Sequence, residues 1–133
     1  MTGSHHYLLL LLGVLIAACA APTYAPCPVE LDGPLPQDAF AQCQSVLVER
    51  YGSVVIADAA SFRLQTDWLL SNNPPRESRA TVFQDPQGLV VVVETRALAE
   101  PLFGLPQWSS VRGDAAAERE LAAQLQAVLN PPR

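Results

Sequence analysis

The chain has 133 residues, half of them apolar, with 8 arginines and no lysine set against 13 acidic residues, a formal charge of −5. That length accommodates one domain of ordinary globular composition. Scattered arginines outnumbered by acids exclude a nucleic-acid surface, which needs clustered cations to displace phosphate counterions, and equally exclude a polybasic patch lying on anionic lipid.

The chain opens with an uninterrupted apolar run, residues 8–18, reading LLLLLGVLIAA. It has the length of a secretory hydrophobic region and falls well short of the ~20 residues that cross a bilayer as a helix. It ends in Ile16-Ala17-Ala18-Cys19, an aliphatic residue and two small residues ahead of a cysteine. This ending resembles the lipobox of bacterial lipoproteins. The resemblance implies cleavage between Ala18 and Cys19, a diacylglycerol on the Cys19 thiol and an acyl chain on the new amino terminus. Such an anchor carries more than the single chain that gives only reversible attachment. Ala20 stands where an aspartate retains members of that family in the inner membrane, so the resemblance implies the outer membrane, facing the periplasm. A covalent lipid on Cys19 is then the one prosthetic addition expected, with no cofactor and no metal.

With Cys19 assigned to lipid, Cys27 and Cys43 remain as a pair in an oxidising compartment. A bridge between them closes a loop of about fifteen residues, for which chain entropy gives on the order of 3 kcal/mol. The alternative is that Cys43 is a buried small apolar residue of a helix and Cys27 is free. Residues 20–36 carry Pro22, Pro26, Pro28, Pro34 and Pro36 with Gly33. This composition resists helix and reads as a tether over residues 19–36, reaching at most ~55 Å at about 3.3 Å per residue. The organisation expected is therefore a signal peptide (1–18), the lipidated tether (19–36), a globular domain (37–130) and a tail (131–133).

Within the domain, Pro36-Gln37-Asp38 opens a helical pattern with Phe40, Cys43, Val46, Leu47 and Tyr51 on one stripe and Gly52 as its stop. Val54 to Ala57 is a short β-branched strand. Phe62, Leu64, Thr66, Trp68 and Leu70 then alternate with Arg63, Gln65 and Asp67, placing Trp68 in the core. Turn-forming Ser71 to Pro75 leads to a third strand, Glu77 to Gln84, and Asp85-Pro86-Gln87-Gly88 to a fourth, Leu89 to Arg96, apolar on both parities and so expected at the middle of the sheet. A Pro/Gly-broken loop holding Phe103, Leu105 and Trp108 follows. The closing helix, residues 114–129, has Asp114 as N-cap, Glu118 favouring the helix dipole, and Ala117, Leu121, Leu125 and Val128 as its inner stripe.

The order α-β-β-β-β-α, without a βαβ repeat, predicts an α+β fold with an antiparallel sheet and two helices on one face. Element order and a few residues, Thr66, Trp68 and Arg79 among them, resemble the small BamC-like helix-on-sheet domains of envelope lipoproteins. No functional residue transfers by that resemblance.

Both histidines, His5 and His6, lie within the signal segment, so the mature chain lacks the commonest general base and neutral metal ligand. No zinc spacing, phosphate loop or nucleophile elbow is present. These features point away from an enzyme. Arg63, Gln65 and Asp67 with Arg79, Glu94 and Arg96 form a mixed-charge ladder on the outward sheet face, read either as pairing on a wet surface or as a docking face. Trp108 is read as packed over the sheet or as a partly exposed anchor for a partner or lipid. Arg63, Arg79, Arg96 and Trp108 are thus the candidate partner-binding residues. The expected function is a membrane-anchored envelope lipoprotein acting as a non-enzymatic accessory that binds another envelope protein. The alternative is a periplasmic carrier with a small apolar ligand or lipid in a helix–sheet cleft lined by Phe62, Leu64, Trp68 and Trp108.

Overall fold

The computed structural model describes residues 26–100 and 103–132; the expected signal peptide, cleavage at Ala18 and lipidation of Cys19 fall outside the described residues. The fold is α+β, an open antiparallel sheet of eight strands with two helices. In chain order the elements are β1 (Cys27–Pro28), α1 (Ala39–Tyr51), β2 (Val54–Asp58), β3 (Arg63–Thr66), β4 (Leu69–Asn72), β5 (Pro75–Asp85), β6 (Gly88–Ala99), β7 (Gln107–Trp108), β8 (Arg112–Gly113) and α2 (Ala115–Leu129). None of the described helices is long and apolar enough to cross a membrane.

The spine is the hairpin of β5 and β6, paired in register from Arg76 opposite Ala97 to Asp85 opposite Gly88. Asp85 closes its turn by accepting from the amides of Gln87 and Gly88, and Gly88 takes a φ of +138°, which a side chain would resist. The main sheet order is β1-β6-β5-β3-β2, with β4 added to β5, and β7 and β8 to β6. Because β5 occupies one edge of β6, β1 and β8 share the other. The valine run is thus central, as its apolarity on both parities predicts.

One parity of the sheet meets both helices. Leu64, Ala80, Val82, Leu89, Val91 and Val93 form a single buried cluster with Cys43, Val46 and Leu47 of α1 and Leu121, Ala122, Leu125 and Leu129 of α2. Truncating a fully buried leucine such as Leu47 or Leu125 costs about 2–5 kcal/mol in sites of this kind. Across the helices, Arg50 pairs with Glu120 at 2.6 Å. Phe62 adopts φ +48°, a strained conformation for an aromatic residue, and its buried ring meets Phe40 edge-on at 5.3 Å. The turn before it is tied by Asp58, whose carboxylate accepts from the Ser61 hydroxyl at 2.7 Å and from the amides of Ala60 and Ser61; these bonds hold its pKa below the ordinary value.

The sheet has eight strands where the sequence predicts four, because the second expected strand divides into β3 and β4 and the short strands β1, β7 and β8 join β6; three features of the chain's entry and of the helices also differ from the sequence reading. The fold begins at Cys27 rather than after Pro36: β1 pairs with Val90 and Val91, Val29 is in the core, and the Asn130 side chain bonds both the carbonyl of Glu30 and the amide of Asp32. Cys27 and Cys43 are free thiols, so the bridge drawn between them is absent from this structure. Cys43 takes the alternative role, fully buried against the sheet, and burial pushes its pKa up to about 12. On α2, Val128 is exposed and the inner stripe turns instead through Glu118, Leu121, Ala122, Leu125 and Leu129.

Glu118 turns inward because β6 needs it. Along the edge that β1 and β8 share, Val93 lies between the residues with which those two strands pair. The Asp114 amide donates to the Val93 carbonyl at 2.8 Å, and Glu118 Oε1 accepts from the Val93 amide at 2.9 Å. Asp114 meanwhile caps α2, its carboxylate accepting from the amide of Ala117. Glu118 is only 2% exposed, and burial raises its pKa despite the opposing pull of the Val93 amide and Arg119.

Two predictions follow from these buried groups. Glu118→Ala removes a buried acceptor of the Val93 amide and lowers unfolding stability by about 1–3 kcal/mol in urea titrations, whereas Glu118→Gln keeps the acceptor and most of the stability. Because the raised pKa means the folded state holds the proton more tightly, the wild-type contribution is complete below the unfolded-state pKa and is lost as pH rises through the folded-state value. Stability measured across that range therefore declines in the wild type relative to Glu118→Gln. In a Cys19→Ser chain, a thiol reagent near neutral pH modifies Cys27 and reaches Cys43 only after denaturation. Recovery of a Cys27–Cys43 cross-linked peptide from native protein contradicts this.

Candidate functional site

The parity of the sheet away from the helices carries the charged and aromatic residues. In β5 and β6 the register places Arg79 opposite Glu94 and Glu77 opposite Arg96, so the two arginines and two carboxylates alternate across the strands. Arg79 Nε donates to Glu94 Oε2 at 2.6 Å, and the Arg96 guanidinium reaches Glu77 Oε2 at 2.6 Å through Nη2 and 2.7 Å through Nε. Beside them, Gln65 of β3 donates to the Thr81 hydroxyl at 2.9 Å.

Trp68 completes the arrangement. Its ring lies 4.6 Å from the Arg79 guanidinium carbon and 4.3 Å from that of Arg96. Trp108 of β7 lies 5.0 Å from Arg96, so this arginine meets two indole rings and one carboxylate. Each such cation–π contact contributes about 0.5–1 kcal/mol where partly exposed, and the planar guanidinium suits it better than an ammonium would.

The position of Trp68 corrects the expectation that it is a core residue. Gln65 stands opposite Thr81 while Leu69 stands opposite Ser78, so four steps along β3–β4 match three along β5. The inserted residue reverses the side-chain parity after Thr66, which still faces the helices and accepts from the amide of Ala80. Asp67 marks the break: its amide donates to Ser53 and its carboxylate accepts from the amide of Trp68, which removes it from the expected charge ladder.

Of the four candidate partner-binding residues, Arg79, Arg96 and Trp108 are thus brought together. Arg63 lies further along the same face, exposed and without an ion pair among the described residues. It borders an open groove of about 580 Å³ whose lining includes Gln65, Arg79, Thr81, Phe83 and Glu94. Glu77 and Phe83 were not singled out from the sequence, although their spacing on the third strand places both on the outward parity. Among the described residues no three His, Cys, Asp or Glu side chains cluster as metal ligands would. Phe62, Leu64, Trp68 and Trp108 do not line a common cleft: the first two are buried on the helix side, and the indoles lie over the arginines on the other.

A double-mutant cycle on Trp68→Ala and Arg96→Ala tests the stack. The expected coupling is about 0.5–1 kcal/mol in chemical denaturation, and additivity of the two substitutions contradicts the interaction. Comparison of the chain with protein-family models and with curated proteins finds no match.

Proposed function

We propose that the chain is a membrane-anchored envelope lipoprotein, held at the periplasmic side of the outer membrane through acylated Cys19, whose domain binds another envelope protein without catalysis. The observation that carries the binding role is the groove on the open sheet face with Arg63, which makes no ion pair among the described residues, at its border. A guanidinium free of an internal carboxylate keeps its donor fork for a partner's carboxylate, while Phe83 and Val92 supply apolar floor beside it. The neighbouring stack of Arg79, Arg96 and Trp68 is fixed by its own ion pairs, so little side-chain freedom is lost on docking.

Docking through side chains is favoured over strand addition. Among the described residues, the edge strand β2 shifts register between Val54 and Ile56, and β4, which pairs with β5 alone, is only four residues long; both features blunt an edge against pairing with another chain. A non-enzymatic role accords with a mature chain lacking histidine and with Glu77 and Glu94 each engaged by an arginine, which leaves this face without a free acid–base pair.

Crosslinking in membranes, followed by affinity capture of the full chain, should recover one envelope protein in stoichiometric yield. Arg63→Glu should abolish that yield without loss of folded protein; an unchanged yield from Arg63→Glu and Phe83→Asp together places the partner elsewhere. Fatty-acid labelling should be lost in Cys19→Ser, and its persistence refutes the anchor.

A further inference from the structure

Residues 103–111 expose large apolar side chains, of which only the Trp108 ring has a stacking partner, Arg96, among the described residues. Phe103 is 93% exposed, Leu105 81%, Trp108 37%, and Val111 also faces solvent. Isolated exposed apolar residues are ordinary, but four within nine positions at one end of a sheet form a patch that needs an occupant. From these residues and from the direction in which the chain enters the fold, we infer that this loop is a second membrane contact, its apolar tip inserting into the lipid surface that holds the anchor. The inference rests on the reading of Cys19 as the lipidated residue.

The strand register carries the argument. β1 runs antiparallel to β6, with Cys27 opposite Val91 and Pro28 opposite Val90, so the chain ahead of Cys27 comes from the direction of Ala99. Beyond Cys27 the edge of β6 is already occupied, first by Asp114 and Glu118 at Val93 and then by β8 at Glu94 and Thr95. β7 joins β6 at Leu98 and Ala99, which fixes the apolar loop at that same end. Cys19 precedes Cys27 by eight residues, a reach of at most ~29 Å, and the stretch of β6 from Val91 to Ala99 spans about 27 Å. A lipid on Cys19 therefore lies within reach of a bilayer surface at the Ala99 end, where Phe103 and Leu105 project.

The surrounding charges suit that surface. Arg76 and Arg112, opposite Ala97 and Thr95, are exposed and make no ion pair among the described residues. Glu100 is an exposed acid beside them, while Asp114 is committed to capping α2. Two arginines at the same end as an apolar tip match phosphate headgroups above acyl chains, and Trp108, partly exposed and stacked on Arg96, is of the residue type favoured at membrane interfaces. With two such cations at this end of the sheet among the described residues, apolar insertion rather than charge attraction supplies the contact.

Trp108 is the reporter. The acylated full chain carrying Trp68→Phe is reconstituted in vesicles of phosphatidylethanolamine and phosphatidylglycerol with brominated acyl chains. Its emission should shift to the blue and be quenched relative to unbrominated vesicles. Phe103→Ser with Leu105→Ser should remove the shift and the quenching while the protein stays with the vesicles and keeps its fatty-acid label. Absence of quenching in a labelled protein overturns the second contact alone, as does quenching that survives the double substitution. Absence of label overturns the anchor and this inference together. A photo-crosslinker at Leu105 that captures protein instead of lipid in native membranes also overturns it.

Discussion

The antiparallel pairing of β5 with β6 is the constraint on which the rest depends. Ten consecutive residue pairs fix both the alternation of faces and the register of every strand that joins them. Because parity is locked along this hairpin, the same two strands supply Val82, Val91 and Val93 to the helices and Glu77, Arg79, Glu94 and Arg96 to the opposite surface. The core and the charged face are two outcomes of one registration. β3 and β2 extend it on one side, and β1 and β8 on the other.

Helix α1 and the central hairpin were legible from local pattern, because 3.6-residue spacing and the Asp85–Gly88 turn carry their own physical signals. The charged face was legible for a similar reason: Arg79, Glu94 and Arg96 follow period two on neighbouring strands. Other features depended on interactions distant in sequence. The residue inserted before Leu69 leaves no Gly or Pro mark, so only the partner strand reveals that Trp68 has changed faces. Glu118 reads as a helix-dipole residue until its bond with the Val93 amide is known. Pro28 suggests tether, yet an edge strand accommodates proline, since one side of its backbone has no ladder to complete.

The two faces also differ in how order is achieved. On the helix side, apolar volume and the bonds of Thr66 and Glu118 leave a filled interface. On the other side, order comes from planar groups in mutual contact: two guanidiniums, two carboxylates and two indoles, still partly wet. Such a surface keeps a defined shape without being sealed, which suits recognition better than a mobile charged fringe would.

The edge position of β1 has a mechanical consequence. Tension applied to the chain ahead of Cys27 acts along the strand axis and so loads its contacts with β6 in shear, all at once, rather than peeling them apart in turn. The bond from Val29 to Leu89 shares that load, and the Asn130 side chain clamps Glu30 and Asp32 just behind it. The last residue before Pro131 and Pro132 thus serves as a strain relief for the first strand, protecting the sheet from a pull on the chain ahead of it.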